Sequence, residues 1–210
     1  ATHKPFETPL GVARPDLPVL TELHRRLGDN LFACDMDHQR EHSVELPVML
    51  LQRLFGPEAV TITALLCPDV CVDPGPDAVS LNALAVALVD ILAQAGEPVR
   101  LVVGADLSHV GRRFGDDVDL DDSFMADIAR RDRQVIDLIL ANRPGELVEV
   151  FRATGNPTRI CSAGCIAAAL MSLPGADVET LGYHQAVSPD AETAVTCLAA
   201  ILRGRHDFQR

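Results

Sequence analysis

The chain has 210 residues, 48% hydrophobic and 23% charged, which places it with folded globular proteins and excludes a disordered chain. Its 30 acidic residues outnumber 18 Lys and Arg for a net charge of −12, which argues against a nucleic-acid backbone or an anionic membrane surface as partner. Aromatic residues make up 4% and Trp is absent, so the core has to be Leu, Val, Ile and Ala, and one domain over 1–210 is expected at this length.

Residues 1–18 carry Pro5, Pro9, Pro15 and Pro18 and read as an extended arm, because each Pro removes a donor and biases its predecessor away from helix. Leu17–Leu27 has helical spacing and stops at Gly28, and Leu31–Ala33 reads as a short strand. Ser43–Phe55 is an amphipathic helix ending at Gly56-Pro57; Ala59–Leu66 is a β-branched run that predicts a buried strand. A turn at Pro74–Pro76 precedes a long Ala- and Leu-rich helix over Ala78–Ala95, stopped by Gly96. Val99–Ala105, "VRLVVGA", is the clearest strand. Then come a polar loop at Asp106–Gly115, an acidic stretch to Asp122, and a helix over Ser123–Leu140 with Ser123 as N-cap. Pro144–Phe151 and Ser162–Met171 read as helices, and Thr180–Val187 and Ala194–Leu202 as closing strands. Alternating strands and helices predict an α/β fold, a single domain with a central mixed sheet flanked by helices.

No apolar run reaches membrane-spanning length; the longest, Ala78–Ala95, is broken by Asn82 and Asp90. Six Cys in a chain of this length do not make a disulfide scaffold, and the N-terminus has no signal-like segment. The expectation is a soluble protein with free thiols in a reducing cytoplasm.

Three segments carry side chains suited to chemistry. "GADLSHVGRRFG" (Gly104–Gly115) puts Asp106, Ser108 and His109 just beyond the predicted strand, where α/β sheets hold ligands. A His beside an Asp there can be a general base, a metal ligand or an anion anchor, or a turn cap and a satisfied loop residue. "HQREHSVE" (His38–Glu45) sets His38 and His42 four residues apart, a metal-like spacing, but it is not H-E-x-x-H, and a solvated helix start explains His38 and Glu45 as well. "RICSAGC" (Arg159–Cys165) puts Cys161 at the entry to a helix, where backbone N–H groups lower a thiol pKa, although free Cys is commonly buried and inert and the residues alone favour that structural reading; Cys165 one turn on is expected in the core. The paired Cys67/Cys71 and Cys161/Cys165 do not make a zinc or iron–sulfur framework, and residues 117–128 match an EF-hand in charge alone.

In this order the segments resemble the Memo family. "FETPLG" (Phe6–Gly11) is similar to its T-P-L-G segment and "REHSVELPVMLLQRLFG" to its E-H-S-x-E helix start. "GADLSHVGRRFG" is similar to its S-D-x-S-H-x-G loop, "RICSAGCIAAAL" to its I-C-G segment with Ser162 in place of Gly, and "LGYHQAVS" to its closing strand. The resemblance implies a class III extradiol dioxygenase-like fold and, in prokaryotes, component B of the AmmeMemoRadiSam system, with a radical-SAM protein and a third companion family as partners. It also implies a redox pocket of His residues and one Cys that takes iron or copper. On the matching positions the Cys is Cys161 and the loop pair is Asp106 and His109, with Cys161 a thiolate ligand or nucleophile, His109 a ligand or acid/base, and Asp106 orienting His109. His42 matches the His of E-H-S.

The family's further pocket His residues lie in segments like P-H-A-G-Y and G-P-x-H upstream of T-P-L-G, and this chain starts seven residues before Thr8. The expectation is an incomplete pocket, with iron or copper held weakly or not at all. The other readings are a non-enzymatic peptide- or protein-binding scaffold and, third, an extradiol ring-cleavage dioxygenase. A homodimer is one way to cover the apolar surface such a gap would leave.

Overall fold

The computed structural model describes residues 1–73, 75, 78–95 and 99–204. The chain divides into two compact units, the first from residues 1–68 and 74–104 and the second from 69–73 and 105–210.

The first unit opens with a hairpin, not a plain extended arm. β1 (Phe6–Thr8) pairs antiparallel with β2 (Gly11–Ala13), and the Thr8 hydroxyl donates to Gln52 Oε1 at 2.5 Å. Helix α1 (Leu17–Leu27) begins where the Asp16 carboxylate accepts the Val19 N–H and ends at Gly28, whose φ of 74° suits glycine. Its apolar face buries Leu20 and Leu23 completely, and Arg26 pairs with Asp90. Residues Asp29–Phe32 and Asp35–Arg40 form 3-10 turns, so the strand expected at Leu31–Ala33 is helical instead. α2 (His42–Phe55) is capped by the Glu41 side chain on the Ser43 N–H, and α3 (Leu81–Gln94) by Ser80 on the Ala83 N–H. The turn expected at Pro74–Pro76 rests on Pro74 and Pro76, and the helix stop on Gly96; all three lie outside the described residues.

Two predicted strands of this region do not form. Ala59–Leu66 makes a single parallel bridge, Ile62 to Pro15, and Val99–Ala105 pairs with no strand among the described residues. A β-branched sequence favours a pleated, half-buried surface, but a strand exists only where a neighbour takes its backbone groups. Val102 and Val103 stay exposed. Gly104 lies so close to α2 that a Cβ there would sit 2.1 Å from the Ser43 carbonyl oxygen.

The second unit is built on a long antiparallel hairpin, β4 (Asp177–Val187) and β5 (Ala194–Arg203), with the two-residue β3 (His109–Val110) on the other edge of β5. α4 (Asp122–Leu140) packs on β4. Its cap is Asp121, which accepts the Phe124 N–H at 2.8 Å, one turn-defining carboxylate ahead of the expected Ser123. α5 (Pro144–Thr154) and α6 (Ala163–Ser172) pack together, burying Leu147, Phe151, Ala163, Ala167 and Leu170. The closing strands of the sequence are thus present, and the protein is mixed α/β. Among the described residues its sheets are two small antiparallel ones, not one central mixed sheet. No helix among the described residues is long and apolar enough to cross a membrane.

Candidate functional site

The loop that enters β3 is fixed from both sides. Toward β5, the Leu107 N–H donates to the Thr196 carbonyl at 2.7 Å, the Ser108 N–H to Thr196 Oγ1 at 2.8 Å, and the Thr196 N–H to the Ser108 carbonyl at 2.9 Å. Toward the start of α6, the His109 N–H donates to the Thr158 carbonyl at 2.8 Å and the Arg159 guanidinium to the His109 carbonyl at 3.1 Å. Ser162 Oγ accepts the Asp106 N–H at 2.9 Å and donates to the Asp106 carbonyl at 3.0 Å. These bonds bring Asp106, His109 and Cys161 onto two stitched segments. His42, the first residue of α2, belongs to the other unit.

His109 is held by its backbone-facing nitrogen. Nδ1 lies 3.1 Å from both the Leu107 and Arg159 carbonyls, two acceptors that require the proton on Nδ1. That leaves Nε2 as the basic nitrogen, with Asp106 Oδ2 3.5 Å away, close enough to pair with the ring when it carries a second proton. The Phe114 ring meets the imidazole edge-on at 5.3 Å, and only 16% of the His109 side chain is exposed. Cys161 follows two residues after the Arg159 carbonyl, is exposed, and has Ser162 Oγ 3.9 Å from its sulfur. The turn before it is shaped by Asn156, whose side chain brackets Ile160, accepting its N–H at 2.9 Å and donating to its carbonyl at 3.1 Å.

Arg159 itself has φ 56° and forms a two-pronged ion pair with Asp116, at 2.6 and 3.0 Å. The guanidinium, helped by the Gly111 N–H, holds the Asp116 carboxyl below its ordinary range against the desolvation of partial burial. A lowered carboxyl favours the fold above the ordinary carboxylate range and loses that contribution as pH falls through the lowered value. The advantage of the wild type over Asp116→Asn should therefore be on the order of 1 kcal/mol at about pH 6 and shrink toward about pH 3, read from urea midpoints, since both partners are partly solvated. A difference constant across that window contradicts this.

A second set of side chains behind His109 has no counterpart in the sequence reading. Asp132 of α4 is completely buried and accepts three hydroxyls at 2.6 Å each, from Ser108, Thr196 and Tyr183. Burial, and then the neighbouring Asp132, push the Tyr183 phenol well above its usual value. The signal was available: Met125, Ile128, Asp132, Val135, Ile136 and Ile139 form the buried stripe of α4, and Asp132 is its one acid.

The donor set limits what the site can hold. An open catalytic metal centre takes three protein ligands, and among the described residues no group of three His, Cys, Asp or Glu gathers in metal-binding geometry. His109 Nε2 and the Cys161 thiol are donors of the type that suits iron or copper.

Comparison with known proteins gives the family of the chain. A family model described as Memo-like protein matches residues 1–201. A MEMO1 family protein of Thermus thermophilus is 36% identical over 169 residues, 79% of this chain and 46% of that protein. A MEMO1 family protein of Aquifex aeolicus is 31% identical over 155 residues, 74% of this chain and 37% of that protein. The chain thus spans less than half the length of these relatives. With the family match running through the hairpin, both stitched segments and β5, the chain belongs to the Memo family.

Proposed function

We propose that this chain is the Memo component of an AmmeMemoRadiSam-type system in the cytoplasm, and that its working site is the His109–Cys161 pair with Asp106 beside it. The partners on this reading are a radical-SAM protein and the companion family of the same system. The observation that supports it is an imidazole committed to one tautomer, with Nε2 away from the backbone, on a segment stitched to the one bearing an exposed thiol. Iron or copper would supply redox and Lewis-acid chemistry there. His109 Nε2 and the Cys161 thiolate would be its donors, the thiol releasing its proton to solvent on binding, and Asp106 beside the ring would help orient His109.

Two donors make a weak site. Anaerobic titration of reduced protein with Fe(II) or Cu(I) should show weak, substoichiometric binding that disappears in His109→Ala and in Cys161→Ser. Binding that survives both substitutions removes the site from these residues, and one tightly held ion per chain contradicts the incomplete pocket.

The shortfall of donors favours a second reading, a non-enzymatic scaffold that holds a peptide or protein with the same surface. Metal-free partner binding retained in Cys161→Ser distinguishes it. The class III extradiol dioxygenase relationship is, on either reading, one of scaffold; ring cleavage would need a fuller ligand set than this pair.

A further inference from the structure

We propose that Asp132 is a positioning residue for the site, acting through Ser108 and Thr196 to hold the His109 ring in its single orientation. The inference rests on His109 being the working imidazole.

A carboxylate with no exposed surface is costly to bury, and Asp132 pairs with no Arg or Lys among the described residues. Its neighbours on the same stripe, Ile128 and Val135, show what packing alone would place there. What Asp132 supplies instead is an acceptor-only group facing three hydroxyls from three parts of the chain. Ser108 donates to Oδ1; Thr196 on β5 and Tyr183 on β4 donate to Oδ2.

The direction of those bonds is what reaches the imidazole. Because the Thr196 hydroxyl spends its proton on Asp132, its lone pairs face the Ser108 N–H, which it accepts at 2.8 Å. The Ser108 carbonyl in turn accepts the Thr196 N–H. Residue 108 is therefore clamped at its side chain, its N–H and its C=O. The residue before it provides the Leu107 carbonyl, which shares the His109 Nδ1 proton with the Arg159 carbonyl, and the residue after it is His109. Asp132 thus fixes the peptide on which the ring turns. An Asn in its place keeps one acceptor oxygen and presents an N–H₂ to the hydroxyls on its other side, so the proton of either Ser108 or Thr196 loses its acceptor.

The test is ¹⁵N NMR of the imidazole rings in the full chain at about pH 8.5, well above the ordinary imidazole range. The His109 signals are identified by their loss in His109→Gln. The wild type should show one tautomer, with the proton on Nδ1. Asp132→Asn should move these signals part of the way toward the averaged values of a free imidazole, the Arg159 carbonyl remaining as the second Nδ1 acceptor. Leu147→Ala, a fully buried substitution in α5 that lowers stability without touching the network, should leave them in place. Ser108→Ala combined with Thr196→Val, which cuts both links from Asp132 to the His109 segment, should reproduce the shift and serves if Asp132→Asn does not fold. An unchanged tautomer in that double variant or in folded Asp132→Asn overturns the proposal, as does an equal change in Leu147→Ala. The readout involves no metal, so it stands or falls separately from the metal titration.

Discussion

Gly111→Ala should destabilise the protein by about 3 kcal/mol or more, because two independent penalties meet at one backbone position. Gly111 has φ 113° and ψ 176°, a conformation reserved for glycine. A Cβ built there lies 2.4 Å from the Glu192 carbonyl oxygen and 3.1 Å from Thr193 Cα, both parts of the β4–β5 connection that cannot simply swing away. The Gly111 N–H is also held by Asp116 Oδ2 at 2.9 Å, in the same carboxylate that pairs with Arg159. The substitution strains the exit of the His109 segment directly. A urea unfolding curve followed by circular dichroism should show the midpoint fall with little change in slope. A loss below about 1 kcal/mol would mean that this connection yields more easily than the close approach implies.

Ile160→Ala should cost about 2–5 kcal/mol, the range for emptying a packed aliphatic site. Ile160 is 2% exposed and sits between Arg159 and Cys161, with both its backbone groups bracketed by Asn156. Its side chain is the core anchor of a turn that has no regular secondary structure to hold it. The truncation should therefore lower the unfolding midpoint and also raise the rate at which iodoacetamide modifies Cys161. A stability loss with unchanged Cys161 reactivity would show that the Asn156 bracket alone sets the turn.

The parts of the fold written in local chemistry were legible. α1 could be ended at Gly28 and α2 at Gly56, because stops are carried by the residues at the ends themselves. The two strands of the β4–β5 hairpin were legible as closing runs, while their antiparallel pairing with each other was not. The strands at Ala59–Leu66 and Val99–Ala105 were misread for the opposite reason. Their composition records a preference, while a strand needs a partner whose identity lies elsewhere in the chain. The same holds for the site. His109, Asp106 and Cys161 stood out by residue type, but the stitching through Ser162, the Arg159–Asp116 pair and the Thr196 hydroxyl join residues tens of positions apart. Asp132 is the intermediate case. Its place on the apolar stripe of α4 is visible in the sequence, but its three hydroxyl donors are not.

The proposed site requires His109 and Cys161 to act as one unit, and a double-mutant cycle on Cu(I) binding measures that most directly. His109→Ala, Cys161→Ser and the double variant should each lose the wild-type affinity to nearly the same degree, so that the second substitution adds little to the first. Independent, additive losses would contradict it, as would Cu(I) affinity that neither substitution changes.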